Sequence, residues 1–452
     1  MDASALFVLL KKVLDGLFEK GIQVVSYASD GTVVERSVQR LLLTELTPIR
    51  YSINNPHPGC DPIVIDFGAY RGHVICIIQD SKHALKTMRN NLFSGARLLT
   101  FGNFISIYRH IADIAQGAGT PLFSRDVKKV DRQDDNAAVR LFSADVLKYL
   151  ADHHPDYIGE IVYLFVFGEL IDAYQNRSMA HLEHIKLVLR ARYFLNSWEI
   201  YLQACGYRKD QYFISRDAND ILRILIDGLI SLVIIHRDHL PTSVALLPWL
   251  HSSEACEHVF GEARRVVKDF TFLDFVYMIP KLRIKLHEAV LRGKSSDGKA
   301  RAAGYSHTYF DHEGLDLLIL STYPTDDEIE RISEEAAQEA DSLVALLGVD
   351  PEMLHRLLPT QSQSNMRLPS ISSWMDDLGG NMEDGVDIEP EDFDDDEEIC
   401  EAEELQNILD NEESSPISRC EKINQRCLDL TCAALAVASE EATIVYVIFF
   451  HP

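Results

Sequence analysis

Four carboxylates in this sequence stand where chemistry could be done. Glu254 and Glu257 lie three residues apart in Trp249–Arg265, WLHSSEACEHVFGEARR, a stretch that reads as one helix. Ser252 or Ser253 can cap it, and both acids then fall in its first turns, where the positive helix end suits a carboxylate. Cys256, Val259, Phe260 and Ala263 recur at helical spacing and would face a core. Acids three apart are neighbours on a helix surface, so this pair could hold a divalent cation or simply begin a helix. The other two acids are Asp30, after the apolar run IQVVSY, and Asp80, after HVICIIQ.

The elements that must position these acids come early in the chain. Leu6, Leu9, Leu10, Val13, Leu17 and Phe18 give Ala5–Lys20 a helical apolar face, and Gly21 ends it. Ile22–Tyr27 reads as a strand buried on both faces. A second helix follows over Val33–Leu46, with Pro48 beyond it. After the turn-rich NNPHPGCDP come a strand pair, Ile63–Phe67 and His73–Gln79, and a helix over His83–Arg97. Helix, strand, acid, helix, strand, acid, helix is the order of a parallel α/β sheet, whose chemistry collects at the carboxyl ends of the strands. Asp30 and Asp80 are expected there. Lys82, Lys86 and Arg89 recur at i, i+4, i+7, one helix face that could meet phosphates or water.

Two of these stretches carry a resemblance. Asp80-Ser81-Lys82-His83-Ala84-Leu85-Lys86-Thr87-Met88-Arg89-Asn90-Asn91 resembles the D-P-x-H-L-L-K-x-I-R-N-N signature of P-element and THAP-type DDE transposases, departing at Ser81 and Ala84. Ser252-Ser253-Glu254-x-Cys256-Glu257-x-Val259-Phe260-Gly261-x-x-Arg264 is similar to the last catalytic helix of that family, and Ser29-Asp30-Gly31 to its second catalytic strand. Glu35-Arg36 stands where the family often has Asn. Gly168–Arg177 resembles an element of the family's helical insertion. The resemblance implies an RNase H-like fold, with Asp30 as the second and Glu257 as the third acid of a site for two Mg2+ or Mn2+ ions. It also implies a first acid on a first strand, which together with strands two and three would precede Met1. Asp80 and its helix would be neighbours of the site, and no THAP-type zinc module is present.

Charge is unevenly placed. The net charge is −27, yet Met1–Pro324 holds 37 acids and 37 bases, while Asp376–Glu413 holds 19 acids and no Lys or Arg. The acidity therefore does not exclude a nucleic-acid surface on the body. Arg264–Arg301 carries ten bases against four acids, among aromatic residues, and is the best DNA candidate on composition. The eight cysteines form no CxxC pair, and reduced thiols are expected. No apolar run is long enough to span a bilayer.

The expected fold class is α/β with a large α-helical insertion: a partial RNase H-like core, a mainly helical body and a disordered acidic C-terminal tail. The expected divisions are 1–103, a partial RNase H-like segment; 104–240, the helical insertion; 241–301, the returning helix with Glu257 and a basic helix; 302–355, an acidic helical segment; and 356–452, the tail. The expected function is that of a truncated, degenerate transposase-derived protein, inactive as given for want of the first Asp. Asp30 and Glu257 would be its catalytic and metal residues. Lys82, His83, Lys86, Arg89, Arg264, Arg265, Lys281, Arg283 and Lys285 would contact DNA weakly and without sequence preference. Two alternatives are a helical interaction protein whose acidic tail docks partners, and an incomplete gene model of an active metal-dependent transposase. Residence inside the cell, with the nucleus as one option, is expected.

Overall fold

A computed structural model describes residues 2–128, 131–241, 244–292, 315–356 and 444–448. Helix α1 (Ala3–Glu19) opens on Asp2, whose side chain accepts from Ala5 N at 2.8 Å, and buries Leu6, Leu10, Leu14 and Leu17. It leads into β1 (Gln23–Ser29), which is buried along nearly its whole length. Val24 and Tyr27 pack with α1 and with α2 (Val33–Glu45), while Val25 and Ala28 belong to the main core on the other face. Burial on both faces is why this strand is continuously apolar rather than alternating.

Strands β2 (Thr47–Ile53), β3 (Ile63–Tyr70) and β4 (His73–Gln79) form an antiparallel meander, and β4 then pairs in parallel with β1. Strand β7 (Ile444–Ile448) pairs in parallel with the other edge of β1, giving the order β2-β3-β4-β1-β7. The sheet is thus mixed, where the element order predicted a parallel one. Strand β2 is not evident in the sequence because Pro48 and the half-exposed TPIRYSI pattern look like a turn. As an edge strand it can carry a proline without breaking the sheet.

Helix α3 (Ser81–Ser94) and a short hairpin, β5 (Leu99–Phe101) with β6 (Phe104–Ser106), precede the helical body. The body comprises α4 (Tyr108–Ile114), α5 (Ser124–Val127), α6 (Asp135–Leu141), α7 (Ala144–His153), α8 (Ile158–Gln175), α9 (His181–Cys205), α10 (Lys209–Tyr212) and α11 (Arg216–Asp238). The apolar run Ile161–Phe167 lies in α8. Helix α11 lies directly on β4: a Cβ on Gly228 would stand 2.8 Å from the Ile77 carbonyl, so only glycine allows this approach. One apolar core runs without a break from the sheet into α8, α9 and α11. Polar links tie the elements together: Arg192 pairs with Asp227 in the interior, and Arg36 of α2 pairs with Asp220 and the half-exposed Asp217 of α11.

After α11 come α12 (Glu254–Val266), α13 (Phe272–Arg292), α14 (Leu317–Leu320), α15 (Asp326–Leu346) and α16 (Pro351–Arg356). The acidic segment expected from sequence is α15, started by a capping box of Thr325 and Glu328 and packed along α9 through Ile329, Ile332, Ala336, Ala340 and Val344. The chain is therefore mostly helical around a small mixed sheet. The expected acidic tail, apart from Arg356 and residues 444–448, lies outside the described residues. Among the described residues no helix is long and apolar enough to cross a membrane. Cys60, Cys76, Cys205 and Cys256 are free thiols, with Cys205 exposed rather than buried.

Candidate carboxylate site at the strand ends

Parallel pairing of β1 and β4 sets Ser29 opposite Gln79, so the next residues, Asp30 and Asp80, leave the sheet side by side. Asp80 N donates to Ser29 O at 2.6 Å. Beneath them Gln79 bonds to Gln39 (2.6 Å), and Gln39 to the Ile78 carbonyl (3.0 Å), which ties α2 to the same strand end. The sheet order thus brings together two acids that stand 50 residues apart.

Asp80 is buried, and both its oxygens are engaged. Oδ1 accepts from Lys82 N (2.8 Å) and His83 N (3.1 Å), capping α3. Oδ2 accepts from Ser253 N (2.8 Å) and Ser253 Oγ (2.9 Å). One side chain therefore fixes the start of α3 and the approach to α12. Trp249–Arg265 is consequently not one helix. Pro248–Leu250 form a single 3-10 turn, and α12 begins at Glu254 because the Ser253 hydroxyl faces Asp80 rather than its own helix. Ser252 Oγ accepts from Glu254 N at 3.3 Å instead.

The two helix acids each meet a basic side chain from α3. Lys82 Nζ lies 2.7 Å from Glu254 Oε1, and His83 Nε2 lies 3.1 Å from Glu257 Oε1. Burial works to lower the His83 pKa, but the Glu257 hydrogen bond and the charges of Asp80 and Asp30 outweigh it, and the net shift is upward. His83 thus bonds to Glu257 and lies within the field of Asp80 and Asp30.

Glu35 is a site residue that the sequence pattern does not single out. It stands on the first turn of α2, behind the Thr32 cap, and is buried. Burial, followed by the neighbouring Asp30 carboxylate, pushes its pKa up to about 9, so it holds a proton at neutral pH. No donor reaches its buried Oε2. Glu35 lies five residues after Asp30, across Gly31, whose φ of +92° turns the chain back over the strand end.

These residues fit one divalent cation better than two. Asp30 and Glu35 form a hard oxygen pair that a cation could bridge by displacing one proton. Asp80 has no lone pair directed away from its donors, and Glu257 is joined to His83. Bound between Asp30 and Glu35, a cation would supply local positive charge for a phosphate.

The expected nucleic-acid residues divide into two groups. On α3, Lys86 pairs with Asp135 at 2.9 Å. Arg89 is fully buried, its guanidinium donating to the carbonyls of Asp131, Arg132 and Asp134 at 2.7–2.8 Å. With Lys82 on Glu254, the expected phosphate face of α3 points into the protein. On the α12–α13 hairpin, Arg264, Arg265, Lys281 and Arg283 are exposed, while Arg265 and Lys285 both pair with Glu262. Tyr277 and Ile284 stand out beside them at 75% and 62% exposure.

No family model, curated protein or solved structure matches the chain.

Proposed function

We propose that this chain is a transposase-derived, non-catalytic DNA-binding protein, in which the acids of a former metal site serve as a structural joint. The observation that carries this reading is the engagement of Asp80. It lies beside Asp30 at the ends of adjacent parallel strands, where the resemblance makes it a neighbour of the site. Both of its oxygens are nevertheless held by protein donors. The resemblance puts strands one to three ahead of Met1, whereas the meander β2–β3–β4 follows β1 in the chain, so the sheet order lends this reading no support. A two-metal mechanism needs carboxylates that face the ions rather than helix termini. Mg2+ or Mn2+, if held between Asp30 and Glu35, would then be an accessory to phosphate contact rather than a catalyst.

DNA contact falls to the α12–α13 hairpin, through Arg264, Lys281 and Arg283. The test is duplex DNA titrated at rising salt, together with a cleavage and joining assay in Mn2+. Affinity that falls steeply with salt, without strand chemistry, supports the proposal. Joining activity abolished by Glu257→Ala would restore the catalytic reading. Absent binding would favour the second reading, a helical interaction protein, which the internal pairing of Lys82, Lys86 and Arg89 already favours.

A further inference from the structure

A second cluster of ligand-type side chains lies away from the strand ends. His57 sits in the turn between β2 and β3, Asp341 on α15, and His355 on α16. His57 Nε2 is 3.3 Å from Asp341 Oδ2, and His355 Nε2 is 2.9 Å from Asp341 Oδ1. One ligand atom from each residue lies within 4.8 Å of the other two. The imidazoles stack, with ring centroids 3.7 Å apart, and the edge of Tyr193 closes one side at 5.4 Å from His57. All three side chains are largely buried, with Asp341 the most exposed at 28%.

We infer that His57, Asp341 and His355 form a zinc site that clasps the β2–β3 turn to α15 and α16. The chemistry of the donors selects the metal. Two imidazole nitrogens and one carboxylate suit zinc, whereas Mg2+ and Ca2+ take oxygen donors. The spacing is also close. Ligands about 2.0–2.1 Å from a tetrahedral ion lie roughly 3.3 Å apart; His57 meets that spacing at Asp341 Oδ2 (3.3 Å), while His355, 2.9 Å from Oδ1, would move outward by a few tenths of an ångström. Three protein ligands leave a fourth position for water, on the side where Asp341 reaches solvent.

Without a metal the cluster is only a pair of histidines hydrogen-bonded to one carboxylate. With one, it would join elements that are remote in the chain, since His57 and Asp341 are 284 residues apart. The same turn also meets α15 where Asn54 N donates to both oxygens of Glu330 at 3.1 Å. A metal here would lock the acidic helix against the sheet edge in a way that a chelator could reverse.

The test uses the full chain, freed of metal and titrated with Zn2+ against a chromophoric chelator, with the thermal midpoint read in parallel. The expected result is one tight equivalent and a raised midpoint in wild type, both lost in His57→Gln and in Asp341→Asn. His355→Gln, at the end of a six-residue helix, serves if either of those fails to fold by circular dichroism. The chain has 17 histidines and 8 cysteines, so uptake alone is insufficient. The equivalent must disappear with these residues and persist in Glu35→Gln, which separates this site from the strand-end acids. No uptake by wild type at tens of micromolar Zn2+, or equal uptake by the folded variants, overturns the inference.

Discussion

Asp80 and Ser253 are 173 residues apart, yet one carboxylate oxygen of Asp80 receives both the amide and the hydroxyl of Ser253, at 2.8 and 2.9 Å. The other oxygen caps α3. This pairing decides where α12 begins and how its acids meet Lys82 and His83.

Asp80→Asn should destabilise the protein. The amide can keep the acceptor bonds to α3, but its nitrogen then faces the Ser253 amide, donor to donor. A cost of about 1–3 kcal/mol is expected, typical of a broken buried charged hydrogen bond. Urea unfolding checks this, and Ser253→Ala should cost less because the amide bond survives.

Glu35 makes stability depend on pH in the alkaline direction. Its folded pKa of about 9 lies above the ordinary carboxylate value, so its contribution is fully present below about pH 4.5 and is lost as pH rises toward 9. Glu35→Gln stays neutral throughout. The stability difference, wild type minus variant, should fall by an amount on the order of a few kcal/mol between pH 5 and 9. Parallel profiles for the two proteins would rule this out.

Buried histidines act in the acid direction. His184 and His236 are pushed down to about 4, and His181 and His251 are also lowered, in each case first by burial. The folded state resists their protonation, so the unfolded chain binds more protons below about pH 6.5. The thermal midpoint should therefore fall steadily from about pH 6.5 to 4. His236→Gln should flatten part of that fall.

The two groups of bases should behave differently toward DNA. Reversing charge at Lys281 and Arg283 should weaken binding and reduce the slope of log affinity against log salt by about 1 for each phosphate no longer neutralised. Lys86→Ala should leave the slope unchanged while lowering stability, because Lys86 pairs with Asp135. An equal reduction of slope in both variants would contradict this division.

Much of the strand-end region was legible in the sequence because it depends on local pattern. Apolar spacing marks α1 and α2, a continuous apolar run marks β1, and Asp80 reads as a position before a helix. What could not be read was partnership. Lys82, Lys86 and Arg89 keep surface spacing throughout, but α3 turns that face toward Glu254, Asp135 and three carbonyls contributed by distant segments. Strand β2 is hidden by Pro48, and Glu35 by its ordinary place in a helix's first turn. His57 and His355 have no local neighbour to mark them, since their meeting point on Asp341 exists only after α15 docks on α9.

The small core of the α12–α13 hairpin has a mechanical consequence. Ala263, Met278 and Leu282 form an apolar cluster separate from the large core that fuses sheet and helical body. Opening that hairpin leaves the large core intact, so its local opening requires far less free energy than global unfolding. Its attachment beside α3 is polar: Asp80 to Ser253, Lys82 to Glu254, His83 to Glu257. The hairpin is therefore held to the body by a polar seam, which rising salt should weaken while the large core behind it stays intact.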